Sequence, residues 1–525
     1  MGKVFLLSST LIFIFLCIKI NAQQVTTAWV INNFNGYPVG VMIGKDNDEN
    51  IIVTGHAGDF TKIITTKYDT NGNLIWEKFY SVPNLGVVAT WLSVDPAGNI
   101  IVTGYPRTFS SNPVESGLLT LKYDNNGNLL WEKLISGTWA FAVRSIVDQS
   151  GNIYVTGRAW QYTSTYDFVT VKYAPDGTQL WLDTFDQNGG FHTPASMELD
   201  LSNNLFVTGG GLSGGLITVM YNNSGERQWI KEETGTAGQS IRVDNNGGIF
   251  ITGSYYDVNT GTSNDIRLIK YDYSGNLIWQ KFYDFGNSEF GKLINIDSQS
   301  NIVISGYGAA PGEFFVGWLI TKFDPSGNLL WYNRVKENQS WEEFPYFALV
   351  GPQDEIYVTG NVGVNSGGTT YHGLETVRYN TDGSNAWVAG VNQYAGIGKG
   401  LALDSDLNLF AVGQFYYSII KYSQNIPTKN EEISNNAPVR FYLEQNYPNP
   451  FNPTTTISFS VPSQTFISLK VYDIIGNEIA TLVNEEKERG VYTITLDGNG
   501  FSSGMYLYRL QADSFVETKK MLLLK

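Results

Sequence analysis

The sequence predicts an all-β protein: an eight-bladed β-propeller closed by an N-terminal strand, followed by a small Ig-like β-sandwich. Three observations predict it. A unit clearest at Val94–Gly104 (V-D-P-A-G-N-I-I-V-T-G) and Gly117–Lys133 (G-L-L-T-L-K-Y-D-N-N-G-N-L-L-W-E-K) recurs with its glycine at Gly55, Gly104, Gly157, Gly209, Gly253, Gly306, Gly360 and Gly413. A period of about 50 residues built from short strands signals a propeller or a solenoid. The matching tryptophan falls at Trp76, Trp131, Trp181, Trp229, Trp279, Trp331 and Trp387, one fewer than the glycines, while Trp29 stands alone before the first of them. Only a closed ring needs its last sheet completed by the N-terminus, so the displaced Trp29 selects the propeller. After residue 440 the repeat stops and period-2 alternation begins.

Residues 1–22 read as a signal peptide: Lys3, an apolar run from Val4 to Ile18, and Ala22 before a cut at Gln23. Cys17, the only cysteine, lies inside it, so the mature chain is expected to lack disulfides and thiolate metal sites although it is exported. No later run of apolar residues is long enough for a transmembrane span.

Residues 23–424 form the propeller in this reading. Each repeat parses into four strands: an inner run such as Ala142–Val147, the Asn-Ile-Ile-Val-Thr-Gly run, a third ending in Lys-Tyr, and a fourth carrying the tryptophan. β-Branched and aromatic residues suit such half-buried strands. Strands one to two and three to four are joined by alike turns, Asp95–Asn99, Asp124–Asn128 and Asp272–Asn276 among them, in which Asp caps the turn and Gly supplies a positive φ. Asp69, Asn71 and Asn73 resemble the start of a calcium loop, but its sixth position is Leu74 and its twelfth Tyr80, so they read as a turn. One tryptophan per repeat on one strand reads as packing between blades. Residues 401–422 supply only three strands, and Thr27–Val30 the fourth, which removes the open edges.

The pattern D-x-x-G-N-hydrophobic-x-V-T-G … K-Y-D-x-x-G-N-x-x-W resembles β-propeller repeats of bacterial exported proteins over residues 25–422. That resemblance implies an architecture and no shared activity. The outer tryptophan also resembles that of the eight-bladed quinoprotein dehydrogenases, but their vicinal cysteine pair has no counterpart here, so no cofactor is expected.

Residues 425–440, polar and proline-bearing, read as a linker. Residues 441–525 carry Asn446-Tyr-Pro-Asn-Pro-Phe-Asn-Pro453, Leu469-Lys-Val-Tyr-Asp-Ile-Ile-Gly-Asn477, Gly490-Val-Tyr492, Ser503-Gly-Met-Tyr506 and the closing Lys519, Lys520 and Lys525. They resemble the C-terminal sorting domain of the type IX secretion system of Bacteroidota. The resemblance implies the secretion machinery as partner, and a secreted or outer-surface destination reached via the periplasm.

Net charge is −15 and no block of Lys or Arg tracks a phosphate backbone, which argues against nucleic acid. His56, His192 and His372 fall in separate repeats, and no nucleophile elbow, P-loop or dinucleotide fingerprint is present, so neither catalytic nor metal-binding residues are assigned. The links from strand two to three and from strand four to the next repeat vary and are aromatic-rich. On them Trp160, Tyr162, Tyr166, Tyr255, Tyr256, Phe314, Phe315, Trp341 and Tyr371 are candidates to bind a glycan or protein ligand. The alternative is a polysaccharide hydrolase or lyase assembled from Glu115, Asp167, Asp186, Asp265, Glu342 and Glu343, the last two otherwise reading as a solvated pair.

Overall fold

The computed structural model describes residues 25–32, 39–109, 116–136, 138–161, 165–185, 192–211, 215–235, 238–256, 264–286, 288–309, 316–335, 343–366, 369–391, 396–414, 417–424, 442–443, 446, 451–473, 476–512 and 515–523. The expected signal peptide and linker therefore lie outside the described residues. Two compact units divide at Asn425 and Ile426. Every regular element is a β-strand, apart from one single-residue helical turn.

In the first unit the described strands group into antiparallel sets of four, and all eight sets obey one plan. Their first strands are Val39–Lys45, Gly86–Val94, Thr138–Val147, His192–Leu199, Gly238–Val243, Glu289–Ile296, Phe344–Val350 and Gly398–Leu403. Each of these touches the next in turn, and the last returns to the first. The second and third sets are joined by a short parallel pairing of Ala140 and Phe141 with Ser116 and Gly117. The set begun by Gly398–Leu403 has only three strands from its own repeat, ending at Ile419–Gln424. Its fourth is Val25–Ile31, paired antiparallel with that third strand, Val25 opposite Gln424 and Ile31 opposite Ile419. The expected seam is present.

Burial follows position in the set. Second and third strands such as Ile51–His56 and Ile63–Tyr68 are buried throughout, whereas the fourth, Leu129–Ser136, alternates between exposed and half-buried. The cores lie between neighbouring sets: Met42, Ile52 and Ile63 of one pack with Leu92, Val102 and Leu121 of the next. Hydroxyls buried there pair across strands, as Thr156 with Thr170 at 3.2 Å and Thr208 with Thr218 at 3.0 Å. A buried hydroxyl left unpaired would cost about 1–3 kcal/mol.

The repeated motif is an inter-set clasp. Asp124 Oδ1 accepts from the amides of Asn126 and Asn128 at 2.9 and 2.8 Å, and the Asn128 side chain donates to Oδ2 at 2.8 Å. Asp69 is occupied in the same way by Asn71 and Asn73, so these carboxylates are spent on their own turns. The turn then presents one carbonyl to the preceding set, where a tryptophan and a lysine both donate to it. Trp131 Nε1 and Lys122 Nζ reach Pro175 O at 3.1 and 3.0 Å. Trp76 and Lys67 share Asn125 O in the same manner. At the seam, Trp29 Nε1 and Lys421 Nζ meet on Thr70 O at 3.3 and 2.9 Å, from opposite ends of the chain. The turn glycine lies under the indole: Gly225 has φ +87°, and a Cβ there would sit 2.5 Å from Trp181. The set that contains the seam has no turn to offer its neighbour Trp387. Gln424 replaces it, its Oε1 accepting from Trp387 Nε1 at 3.0 Å and Tyr357 Oη at 3.2 Å.

In the second unit two antiparallel sheets share one core. Thr454–Val461 pairs with Tyr442–Leu443 and Gly490–Asp497, while Thr465–Tyr472 and Gly504–Ala512 lie at the centre of a four-stranded sheet. Ile457, Phe459 and Leu496 of the first meet Ile467, Leu469, Val471, Tyr508 and Leu510 of the second. Strict alternation of burial along Thr465–Tyr472 matches the expected pattern.

Candidate functional site

A meander of four strands places its first and third turns at one end of the ring and its other links at the opposite end. The alike turns, capped by Asp in most sets and by Asn222 in one, hold the first end. The second end differs from set to set. Two of its expected links are largely strand: Ile153–Gln161 pairs with Thr165–Tyr173, and Ile356–Ser366 with Thr369–Tyr379. Of the residues expected as links, 158–161 with 165–167 and 361–366 with 369–373 thus prolong the second and third strands, which Val, Thr and Tyr favour.

Of the nine candidate aromatics, two have described side chains. Tyr255 is packed against its own set, its ring 4.5 Å from that of Phe282 and 5.7 Å from the Arg267 guanidinium. Tyr256 is 42% exposed. Trp160 and Tyr166 are register partners across one hairpin, and Tyr371 opposes Val364 across the other, but their side chains lie outside the described residues. Tyr162, Phe314, Phe315 and Trp341 lie outside them altogether.

Among the candidate carboxylates, Glu115, Asp186 and Glu342 are likewise outside the described residues. Glu343 is not solvated as expected: it is fully buried, its amide bonded to Val316 O and its Oε1 accepting from Gly363 N at 3.2 Å. Lying at a strand entry, it satisfies a backbone amide that burial cuts off from water. Asp265 gathers with Asp284 and Glu289, oxygens within 4.8 Å of one another. Burial, then the Asp284 charge, raises the Asp265 carboxyl. Arg334 stands 3.5 Å from Glu289. None of these three carboxyls lines the cavity described next.

That cavity, of about 550 Å³, is lined by the inner strands. Each first strand slips by one residue opposite the second-strand glycine; between Gly238 and Ser240, for instance, the register skips Gln239. The glycine is needed there because a Cβ at Gly55 would lie 2.0 Å from Val39 O. A bulge re-aims side chains. Of the skipped residues, Val41, Thr90, Ala195, Gln239, Tyr346 and Lys399 line the cavity, whereas Val143 and Lys292 are not among its lining.

The cavity's charge runs against that of the chain. Arg144, Arg242 and Lys399 line it, and among the described residues no Asp or Glu does. The Arg144 guanidinium lies 4.2 Å from the Trp91 ring centroid and donates to Ser196 Oγ at 3.3 Å. Burial, then the nearby Arg242 charge, disfavours its cationic form, and Glu198 partly offsets them. Arg242 donates to Glu198 Oε2 at 3.1 Å. Lys399 Nζ stands 3.9 Å from the Tyr346 centroid, and burial pushes its pKa down to about 8. His56, also on the lining, is stacked on Phe60 at 5.3 Å and pushed down to about 4 by burial and then by the Arg107 charge, so at neutral pH it adds no charge.

Sequence reasoning missed these cations because no motif holds them. A signal existed: Lys45, Arg144, Arg242, Lys292 and Lys399 on the first strands against only Glu198 and Glu289, in a chain with an acidic excess elsewhere.

Comparison with known proteins adds the following. Residues 445–524 match the secretion system C-terminal sorting domain. A WD repeat-containing protein, L264, of Acanthamoeba polyphaga mimivirus is 23% identical over 61% of this chain, which spans 29% of that protein's length. The Dos1 propeller superposes with a TM-score of 0.50 at 9% identity, covering 74% of this chain and 93% of its own. PorZ, a surface component of the type IX secretion system of Porphyromonas gingivalis, covers 92% of this chain and 74% of its own at 11% identity, with a TM-score of 0.38.

Proposed function

We propose, for an exported β-propeller protein that ends in a type IX secretion system sorting domain, that the propeller is a binding scaffold delivered to the cell surface or the medium. Residues 1–22 are its signal peptide, 23–424 an eight-bladed propeller, 425–440 a linker and 441–525 an Ig-like sorting domain read by the secretion machinery. The scaffold takes a glycan or protein through the end where the sets differ, with Trp160, Tyr162, Tyr166, Tyr255, Tyr256, Phe314, Phe315, Trp341 and Tyr371 as the candidate contacts. One observation carries this reading: one end of the ring is a near-identical series of turns, while the other combines dissimilar links with a cavity behind them. Rigid scaffolds place recognition on such variable ends. The hydrolase reading is not favoured, since Asp167, Asp265 and Glu343 come from different sets and Glu343 is occupied by a backbone amide.

A glycan-array and surface-protein screen of the purified full chain tests the reading. Binding that Tyr256→Ala weakens supports it; an absence of binding to either class overturns it. Export is tested separately. Deleting residues 445–524 should retain the protein in the periplasm, and its undiminished appearance outside the cell would refute the assignment of the tail.

A further inference from the structure

The chain carries a net charge of −15, yet among the described residues its axial cavity is lined by three cations and no acid. Arg144, Arg242 and Lys399 come from three different first strands, so the closed circuit of sets brings them together. Concentrating like charges in a partly desolvated space costs free energy unless something neutralises them. Glu198 pairs directly with Arg242 and only partly offsets the burial of Arg144. Among the described residues, Arg144 and Lys399 rest on the faces of Trp91 and Tyr346 without a carboxylate partner. Guanidinium groups match oxyanions with two parallel donors, and a desolvated ammonium adds a point charge. Around them Gln239, Asn295 and Gln414 offer amides, and the aromatic rings offer apolar faces. That mixture of faces and amide groups suits a ring bearing hydroxyls, and the volume lies within the range of ligand pockets, roughly 300–1,000 Å³.

We propose that this cavity binds the oxyanion of an acidic saccharide, a carboxylate or a sulfate, between Arg144, Arg242 and Lys399. The inference rests on the binding reading for the end from which the ligand arrives, and names its chemical class. The bulges make the site: without the extra residue in each first strand, Lys399 and Tyr346 would not turn to the axis.

Calorimetric titration of the purified full chain with trigalacturonate, a sulfated chondroitin disaccharide, uncharged maltotriose and inorganic sulfate tests it. At least one acidic saccharide should bind more tightly than about 1 mM, with maltotriose at least about tenfold weaker. Affinity should fall as salt is raised. Lys399→Gln, which loses no ion pair among the described residues and should leave the fold intact, should weaken acidic binding about tenfold. Arg242→Gln gives a second reading should that variant fail. Equal binding of maltotriose, or unchanged affinity in both variants, overturns the cavity site. So does displacement by inorganic sulfate at the concentration of the saccharides. If acidic saccharides bind, both cavity variants are silent and Tyr256→Ala abolishes binding, the binding scaffold stands and the cavity inference alone falls.

Discussion

At the scale of single residues, the turn glycines answer two demands at once. Gly225 and Gly247 both adopt positive φ, +87° and +78°. A Cβ at Gly225 would strike Trp181, whereas at Gly247 its nearest neighbour is Tyr273 at 3.9 Å. Gly225→Ala should therefore cost about 3 kcal/mol and Gly247→Ala about 1 kcal/mol, read from denaturant unfolding; equal losses would refute the role given to the indole contact. His56 sets an acid limit. Its folded pKa of about 4 lies below the ordinary 6.5, so the unfolded chain takes a proton first as pH falls through that window. Stability contributed by the neutral ring is whole above 6.5 and is lost toward 4, by about 3 kcal/mol at most. His56→Phe should shrink the loss between pH 7 and 4.5 by about 2 kcal/mol, and an unchanged loss would exclude His56 as its source.

At the scale of elements, the clasp explains why lysine recurs where buried strands admit few charges. Lys122 and Lys322 are nearly inaccessible, with Asp95 and Asp297 at 2.9 Å. Lys122→Met leaves the buried Asp95 charge without its cation, held by its turn donors only, and leaves Pro175 O with the indole alone, so unfolding should ease by about 2–4 kcal/mol. The double variant with Asp95→Asn should recover part of that loss, and strict additivity would show that the two groups do not act as a pair. This part of the fold was legible because Asp, Gly, Lys and Trp each meet a local requirement that recurs in every copy. The cavity was not legible. Which side chains reach the axis depends on a register slip between two strands, and nothing in Gln239, Tyr346 or Lys399 by itself announces it. The prolonged hairpins escaped for a related reason: Arg158–Asp167 varies between copies as a loop would, though its residues also suit strands.

At the scale of the whole molecule, the joint at the seam departs from the repeated clasp. Gln424 supplies from a side chain the acceptor that other sets supply from backbone, so Gln424→Leu orphans Trp387 Nε1 and should cost about 1–3 kcal/mol. Removing Val25–Ile31 leaves the edge of Ile419–Gln424 unpaired, and edges recruit other chains. Light scattering should then show association where the intact chain is monodisperse, and a monodisperse truncated chain would overturn the seam's role. Trp29 was readable as the missing eighth tryptophan; Gln424 was not, because an isolated glutamine carries no pattern. The meeting of Trp29 and Lys421 on Thr70 has a temporal meaning. The strand Val25–Ile31 leaves the ribosome early and waits for Ile419–Gln424, so ring completion is a test of chain length. A polypeptide cut short before Lys421 can build most of its sheets yet cannot shut, and it advertises the fault as two sticky edges.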